Sequence, residues 1–143
     1  MSGDGGLAML MGDLLSLQQL QLPVKVIVFK NGALSFVEME MKVAGFVEFG
    51  TDLKNPNFAK MAEAAGMLGL TAERAEDVRP MITQALKHDG PALVEVPVYR
   101  EELVMPPTIT LGEMKGFTLF TLRAVLSGRG NEIVDLAKIN LFG

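Results

Sequence analysis

Gly3-Asp4-Gly5-Gly6, answered 27 positions after Asp4 by Asn31, is the stretch whose reading decides the fold. Between them lie residues 7–20 (LAMLMGDLLSLQQL) and then Val24-Lys25-Val26-Ile27-Val28-Phe29. In the first segment Leu7, Leu10, Met11, Leu14, Leu15 and Leu17 recur at helical spacing, too broadly for a surface helix, and Pro23 ends the pattern. The second is a β-branched run bounded by turn residues, the mark of a buried strand. An acid in a glycine-rich turn, followed by a helix, a strand and an amide, can hold a divalent cation and, through it, a diphosphate. Taken alone, a Gly-Asp-Gly-Gly tetrapeptide or an Asn-Gly after a strand is also what an ordinary turn looks like. The motif stands at the front of the chain, so the strand expected to lead into it is missing, and the sequence reads as the C-terminal piece of something larger.

Outward from this stretch the same alternation continues. Residues 34–42 suit a short helix, and residues 43–55 an irregular loop with Gly45, Gly50 and Asn55. Asn57 is placed to cap a helix running to about Met67, with Phe58, Met61 and Ala65 on one face. A strand near Leu68–Ala72, a helix over Glu76–Lys87 that tolerates Pro80 in its first turns, and a strand at Ala92–Val98 follow, the last two separated by Asp89-Gly90-Pro91. Strands alternating with helices predict an α/β fold with a parallel sheet. From about Glu101 the character changes. Pro106-Pro107 forms a stiff spacer, Met114–Leu126 mixes aromatics and leucines, Ser127-Gly128-Arg129-Gly130 is a hinge, and Asn131–Phe142 has a helical pattern. The division expected is therefore residues 1–101 and residues 102–143.

Composition narrows the function classes. The chain has 143 residues, 49% hydrophobic and 21% charged, enough for a packed core. A net charge of −4 and the lack of a basic stripe with interleaved aromatics argue against a nucleic-acid partner. With no cysteine, neither a disulfide framework nor a zinc–thiolate cluster is possible. No run approaches the roughly 18 apolar residues of a membrane span, and the front end lacks the basic and apolar segments of a secretion signal. A cytosolic protein, in contact at most with a membrane surface, is the expectation.

The chemistry of the candidate site follows from what magnesium needs, about six oxygens in octahedral array. Asp4 offers a carboxylate oxygen, Asn31 an amide oxygen, and a main-chain carbonyl just beyond it, that of Ala33, a third. Two diphosphate oxygens and a water would complete the shell. Gly5 and Gly6 let the backbone approach phosphates, and a helix starting near residue 7 would turn its free amides toward them. The strand at residues 24–29 delivers Asn31 to the carboxyl end of the sheet, where such folds bind ligands.

Gly3-Asp4-Gly5 followed by Asn31 resembles the thiamine-diphosphate fingerprint. The stretch GDGGLAMLMGDLLSLQQLQLPVKVIVFKN, the VEMEMK run at residues 37–42 and the tail KGFTLFTLRAVLSGRGNEIVDLAKINLFG together resemble the C-terminal part of the pyruvate oxidase family, and within it the membrane-associated pyruvate dehydrogenases that reduce quinone. The resemblance implies a parallel-sheet diphosphate-binding domain, truncated at its N-terminus, with a C-terminal membrane-binding tail. It implies Asp4, Asn31 and the Ala33 carbonyl as magnesium ligands. Asp4, Gly5 and Gly6 would meet the diphosphate on one side, and Asn31, Gly32, Ala33, Leu34, Ser35, Phe36 and Val37 on the other. The family's Asn pair is here Lys30-Asn31; Lys30 either adds charge near the phosphates or points to solvent, the second being favoured. Phe36 is either a core aromatic or, as the family implies, a residue that assists electron transfer toward flavin. Glu38 and Glu40 read as solvated charges and His88 as a surface histidine.

The same resemblance implies an activity: oxidative decarboxylation of pyruvate to acetate and carbon dioxide, with electrons passing through FAD to ubiquinone. It implies a homotetramer, cytoplasmic and peripheral on the inner face of the cell membrane. FAD would be bound mainly by a middle domain absent from this sequence, and the isolated 143 residues would be inactive as an oxidase. In the tail, Asn131, Glu132, Asp135 and Lys138 share one helical arc, and Ile133, Val134, Leu136, Ala137 and Leu141 the opposite one. Such a helix either packs on the parent enzyme or lies in a lipid interface; the family implies lipid. Two other classes remain: another thiamine-diphosphate enzyme of acetolactate synthase type, and an inactive truncated module that keeps only membrane binding.

Overall fold

The computed structural model describes residues 1–100 and 110–142. In chain order its elements are β1 (Ser2–Gly3), α1 (Asp4–Met9), α2 (Asp13–Gln19), β2 (Lys25–Lys30), α3 (Ser35–Val43), α4 (Phe58–Ala64), β3 (Leu68–Thr71), α5 (Ala75–Lys87), β4 (Ala92–Pro97), α6 (Leu111–Leu126) and α7 (Gly130–Phe142). They fall into two compact units. One is Met1–Gly32 with Leu53–Val98, the other Ala33–Asp52 with Tyr99–Gly143. The expected boundary at 101/102 and the Pro106-Pro107 spacer lie outside the described residues.

The first unit is a four-stranded sheet, all parallel, in the order β1-β2-β4-β3. Its two faces separate by the period-two alternation of the strands. Val28 and Leu93 point to one face, where Leu7, Leu14, Phe58, Ala62 and Met67 cover them from α1, α2 and the α4 region. Ala92, Val94 and Val96 point to the other, covered by Ala85, Val78, Met81 and Ile82 of α5. Helices on both faces explain why β4 is apolar at almost every position, as a doubly covered parallel strand must be. One exception stands in that run: Glu95, buried, on the α4 face.

Two expectations change here. The helix expected over residues 7–20 is two helices, broken at Leu10–Gly12, where Leu10 and Asp13 close tight turns through their amides. Helix α1 ends at Met9 with Leu10 as its C-cap, and Gly12 is the N-cap before Asp13, an acid that suits the first turn of α2. Only Leu7 and Leu14 of the expected apolar set are buried; Leu10 and Leu15 are exposed. The leading strand expected to be missing is present as a two-residue piece, with Ser2 opposite Val28 and Gly3 opposite Phe29. Helix α1 therefore starts at Asp4, not near residue 7. Most other elements lie within a residue or two of their expected bounds; the Asn57 cap is as expected, its side chain accepting from the Lys60 amide at 2.7 Å, but the helix it starts ends at Ala64, three residues before Met67, and α6 begins at Leu111, three residues before Met114.

The second unit is built on α3, α6 and α7. Gly116 on α6 meets α3 so closely that a Cβ there would lie 1.7 Å from the Val43 carbonyl oxygen. Phe120 and Ala124 of α6 and Leu136 of α7 are buried, while Leu111, Met114, Leu122, Val125 and Leu126 are exposed. A polar cavity of about 280 Å³ is lined by Glu38, Lys42, Glu48, Arg100, Arg129 and Glu132 among others. Among the described residues no helix is long and apolar enough to cross a membrane.

Candidate functional site

The strand register brings the two ends of the motif together. With Gly3 opposite Phe29, the chain leaves β1 at Asp4 and leaves the adjoining β2 at Asn31 on the same, carboxyl end of the sheet. That end is where open parallel sheets bind ligands. Gly32 follows with φ of +73°, a conformation costly for any residue with a Cβ, and this turns its amide back toward β1.

That amide donates to Asp4 Oδ2 at 2.7 Å. The Asn55 side-chain amide donates to the same oxygen at 2.5 Å, and the Gly5 amide to Oδ1 at 2.9 Å. Asp4 is only 2% exposed, yet among the described residues no Lys, Arg or His forms an ion pair with it. A buried carboxylate is costly unless it is compensated. Three neutral donors satisfy part of its demand and leave its charge unbalanced. The donor chemistry, a carboxylate beside the amide-bearing Asn31, is that of a hard divalent cation. No cluster of three or more acidic, histidine or cysteine side chains suited to a metal exists among the described residues, so a metal here would draw on amide, carbonyl and ligand oxygens beside one carboxylate. The residues present fit a magnesium–diphosphate group.

Lys30 does not simply point to solvent, the reading favoured from the sequence. Its ammonium pairs with Glu95 at 2.9 Å and donates to the Pro56 carbonyl at 3.2 Å. The other Glu95 oxygen accepts from the Phe58 amide at 2.7 Å, so this buried acid caps the start of α4 and anchors Lys30 at once. Asn55 and Glu95 were missed by sequence reasoning. Glu95 had a signal, a lone acid inside Ala-Leu-Val-Glu-Val-Pro-Val. Asn55 had only its place before Pro56, which favours an extended backbone.

The rest of the expected segment belongs to the second unit. Ala33 is buried and bridges Asp52 in antiparallel fashion; the Leu34 amide donates to the Thr51 carbonyl at 2.9 Å. Ser35, Phe36 and Val37 open α3. Phe36 is 72% exposed and is not a core aromatic. Glu38 is not solvated as expected. It is buried, accepts from Thr51 Oγ1 at 2.8 Å and pairs with Arg100. Burial works against the Arg100 charge, but the hydrogen bonds to Glu38 and Asp52 outweigh it and raise the guanidinium pKa above its ordinary value. Arg129 is raised too, chiefly by its hydrogen bond to Glu132. Glu40 and His88 are exposed, as expected.

The family described as thiamine pyrophosphate enzyme, C-terminal TPP binding domain, matches residues 1–96. A Bacillus subtilis (strain 168) protein, YdaP, described as thiamine pyrophosphate-containing, is 34% identical over 136 residues, 95% of this chain and 24% of its own length. The mitochondrial acetolactate synthase of Schizosaccharomyces pombe is 32% identical over 105 residues, 73% of this chain and 16% of its own. An acetolactate synthase of Mycobacterium bovis is 34% identical over 111 residues, with 73% and 18% coverage. The chain belongs to the thiamine pyrophosphate enzymes, as their C-terminal TPP-binding domain. It spans about a quarter of the length of the first of these relatives and less than a fifth of the others.

Proposed function

We infer that this chain grips the diphosphate of thiamine diphosphate through a magnesium ion held by Asp4 and Asn31. The observation that carries this is the buried Asp4 carboxylate, oriented by Gly32 and Asn55 and without a cationic partner among the described residues. Asp4 supplies the anionic oxygen, Asn31 a neutral one, and the Ala33 carbonyl, two residues further along the chain, is the third protein oxygen that the sequence offers. Gly5 and Gly6 keep side chains out of the way of phosphate oxygens. When bound, thiamine diphosphate supplies the carbon that adds to a 2-oxo acid and the ring that holds the electron pair left when carbon dioxide departs. On this reading the site residues bind and orient the cofactor.

The reaction we favour is the oxidative decarboxylation of pyruvate to acetate and carbon dioxide, with FAD and then ubiquinone as acceptors. Support comes from the tail. The match to YdaP takes in 136 of the 143 residues and so includes α6 and the first half of α7, whereas the match to the S. pombe acetolactate synthase takes in 105. The exposed Leu111, Met114, Leu122, Val125 and Leu126 of α6 suit contact with lipid at the inner face of the cell membrane. On this reading Phe36, exposed at the start of α3, assists electron transfer, and the working assembly is a homotetramer. Acetolactate synthesis is the second reading, favoured by the named synthases among the relatives. Acceptor dependence separates them. Carbon dioxide release from pyruvate that requires a quinone supports the first, and acetolactate formed without an acceptor supports the second.

Calorimetric titration of the 143-residue chain with thiamine diphosphate tests the binding claim. Heat of binding in magnesium that disappears in EDTA, and at least about a tenfold loss of affinity in Asp4→Asn, is the expected result. Binding indifferent to magnesium, or none at all, would refute it.

A further inference from the structure

Asp4 can serve a cation only if its carboxylate is held at one rotation, and the first unit contains a device that does this. Oδ2 receives two donors, the Gly32 amide at 2.7 Å and the Asn55 side-chain amide at 2.5 Å. Oδ1 receives one, from the Gly5 amide at 2.9 Å. A carboxylate oxygen has about two in-plane acceptor directions. Oδ2 is therefore filled and Oδ1 keeps one direction open. We propose that Asn55 is a positioning residue, which fixes the Asp4 carboxylate so that Oδ1 is the atom presented to the metal ion.

Asn55 is itself held. The Pro56 carbonyl accepts from Lys30, Lys30 pairs with Glu95, and the other oxygen of Glu95 binds the Phe58 amide. These contacts fix the chain on the C-terminal side of Asn55 to the two central strands. On the other side, the Leu53 amide donates to the Gly32 carbonyl at 2.9 Å. The segment that carries Asn55 is thus tied at both ends, and its side chain has one strong acceptor, Asp4. Lys30, standing where the thiamine-diphosphate fingerprint has the first Asn of its pair, acts as a strut of this brace and not as a phosphate ligand.

The inference rests on the magnesium reading of Asp4, and its test separates the two. The probe is manganese, followed by electron paramagnetic resonance of the free ion as the 143-residue chain is titrated in the presence of thiamine diphosphate. Asn55→Ala and Asn55→Leu, the latter close in shape but without a donor, should raise the manganese Kd by about 10–100-fold, the usual effect of removing a group that orients a metal ligand. Asn57→Ala removes the cap of α4 two residues away and touches neither Asp4 nor the metal. It should lower thermal stability while leaving the Kd within about twofold. In parallel, the Gly32 amide proton, followed by nuclear magnetic resonance without any metal, should shift in Asn55→Ala as Asp4 rotates, and stay in place in Asn57→Ala. Manganese uptake by the wild-type chain that the Asn55 variants leave unchanged would overturn the inference alone. Equal losses in the Asn55 and Asn57 variants would overturn it as well, by showing a merely structural role. No manganese uptake by the wild-type chain would overturn both the magnesium reading and this inference.

Discussion

Replacing Glu95 probes the one acid in the centre of the sheet. It is 3% exposed and makes two contacts, the Phe58 amide at 2.7 Å and Lys30 at 2.9 Å. In Glu95→Ala the buried Phe58 amide loses its acceptor, at a cost of about 1–3 kcal/mol. Lys30 keeps the Pro56 carbonyl and some exposure to water, so its loss is held to about 1 kcal/mol. The void left by the side chain adds about 1 kcal/mol more. The sum is about 3–5 kcal/mol. Glu95→Gln still offers an oxygen to the Phe58 amide and loses only the charge-assisted part, about 1–2 kcal/mol. A double-mutant cycle with Lys30→Met should return a coupling of about 1–2 kcal/mol. The assay is native-state amide exchange at Val28 and Val94, both fully buried in the central strands, which exchange through opening of the first unit. A cost below about 1 kcal/mol for Glu95→Ala, or equal costs for Ala and Gln, would refute the reasoning, because the acid would then not be what satisfies the buried Phe58 amide.

In the second unit, Gly116→Ala puts a methyl group 1.7 Å from the Val43 carbonyl oxygen and should cost at least about 2–3 kcal/mol, whereas Gly112→Ala, whose nearest neighbour is 3.8 Å away, should be neutral or slightly stabilising; urea denaturation of the two variants makes the comparison. Glu38→Ala strands Arg100 with Asp52 alone and should cost about 2–3 kcal/mol, less than a fully buried pair because Arg100 keeps a third of its surface in water; thermal denaturation reads it. Thr110 and Glu113 form a capping box at the start of α6, and Thr110→Ala should cost about 1 kcal/mol of helix stability. The backbone amide of Thr110, its chief cause, holds the Glu113 carboxyl below its ordinary pKa. The folded value is thus depressed, so the stabilisation is complete above the usual glutamate range and is lost as the pH falls through the lowered folded value. Amide exchange over the first turn of α6 should speed up in that window, and should lose this pH dependence in Glu113→Gln.

Much of the first unit was legible because its signals are local. The β-branched run before Asn31, the Ala-Leu-Val run before Glu95, the Asn57 cap and the Asp89-Gly90-Pro91 break each declare an element through its own residues. The sheet end that carries Asp4 and Asn31 followed from those elements, but the expected glycine turn is the first turn of α1. What was not legible depends on contacts between residues far apart in sequence. Lys30 meets Glu95 across 65 positions, and Asn55 meets Asp4 across 51. Nothing in the identity of a lysine or asparagine says which distant acid it will face. Glu38 misled for the same reason: its helical spacing suits a solvated face, and only Thr51 and Arg100 make its burial tolerable. The break between α1 and α2 was hidden by a leucine pattern that runs through it, although Gly12-Asp13 marks the place.

The most direct measurement is the anomalous difference map of a crystal of this chain grown with manganese and thiamine diphosphate. One strong peak is expected at bonding distance, about 2.1 Å, from an Asp4 carboxylate oxygen and from the Asn31 side-chain oxygen, with diphosphate oxygens completing the shell. A cofactor bound with no peak at Asp4, or a peak held by other residues, would contradict the account.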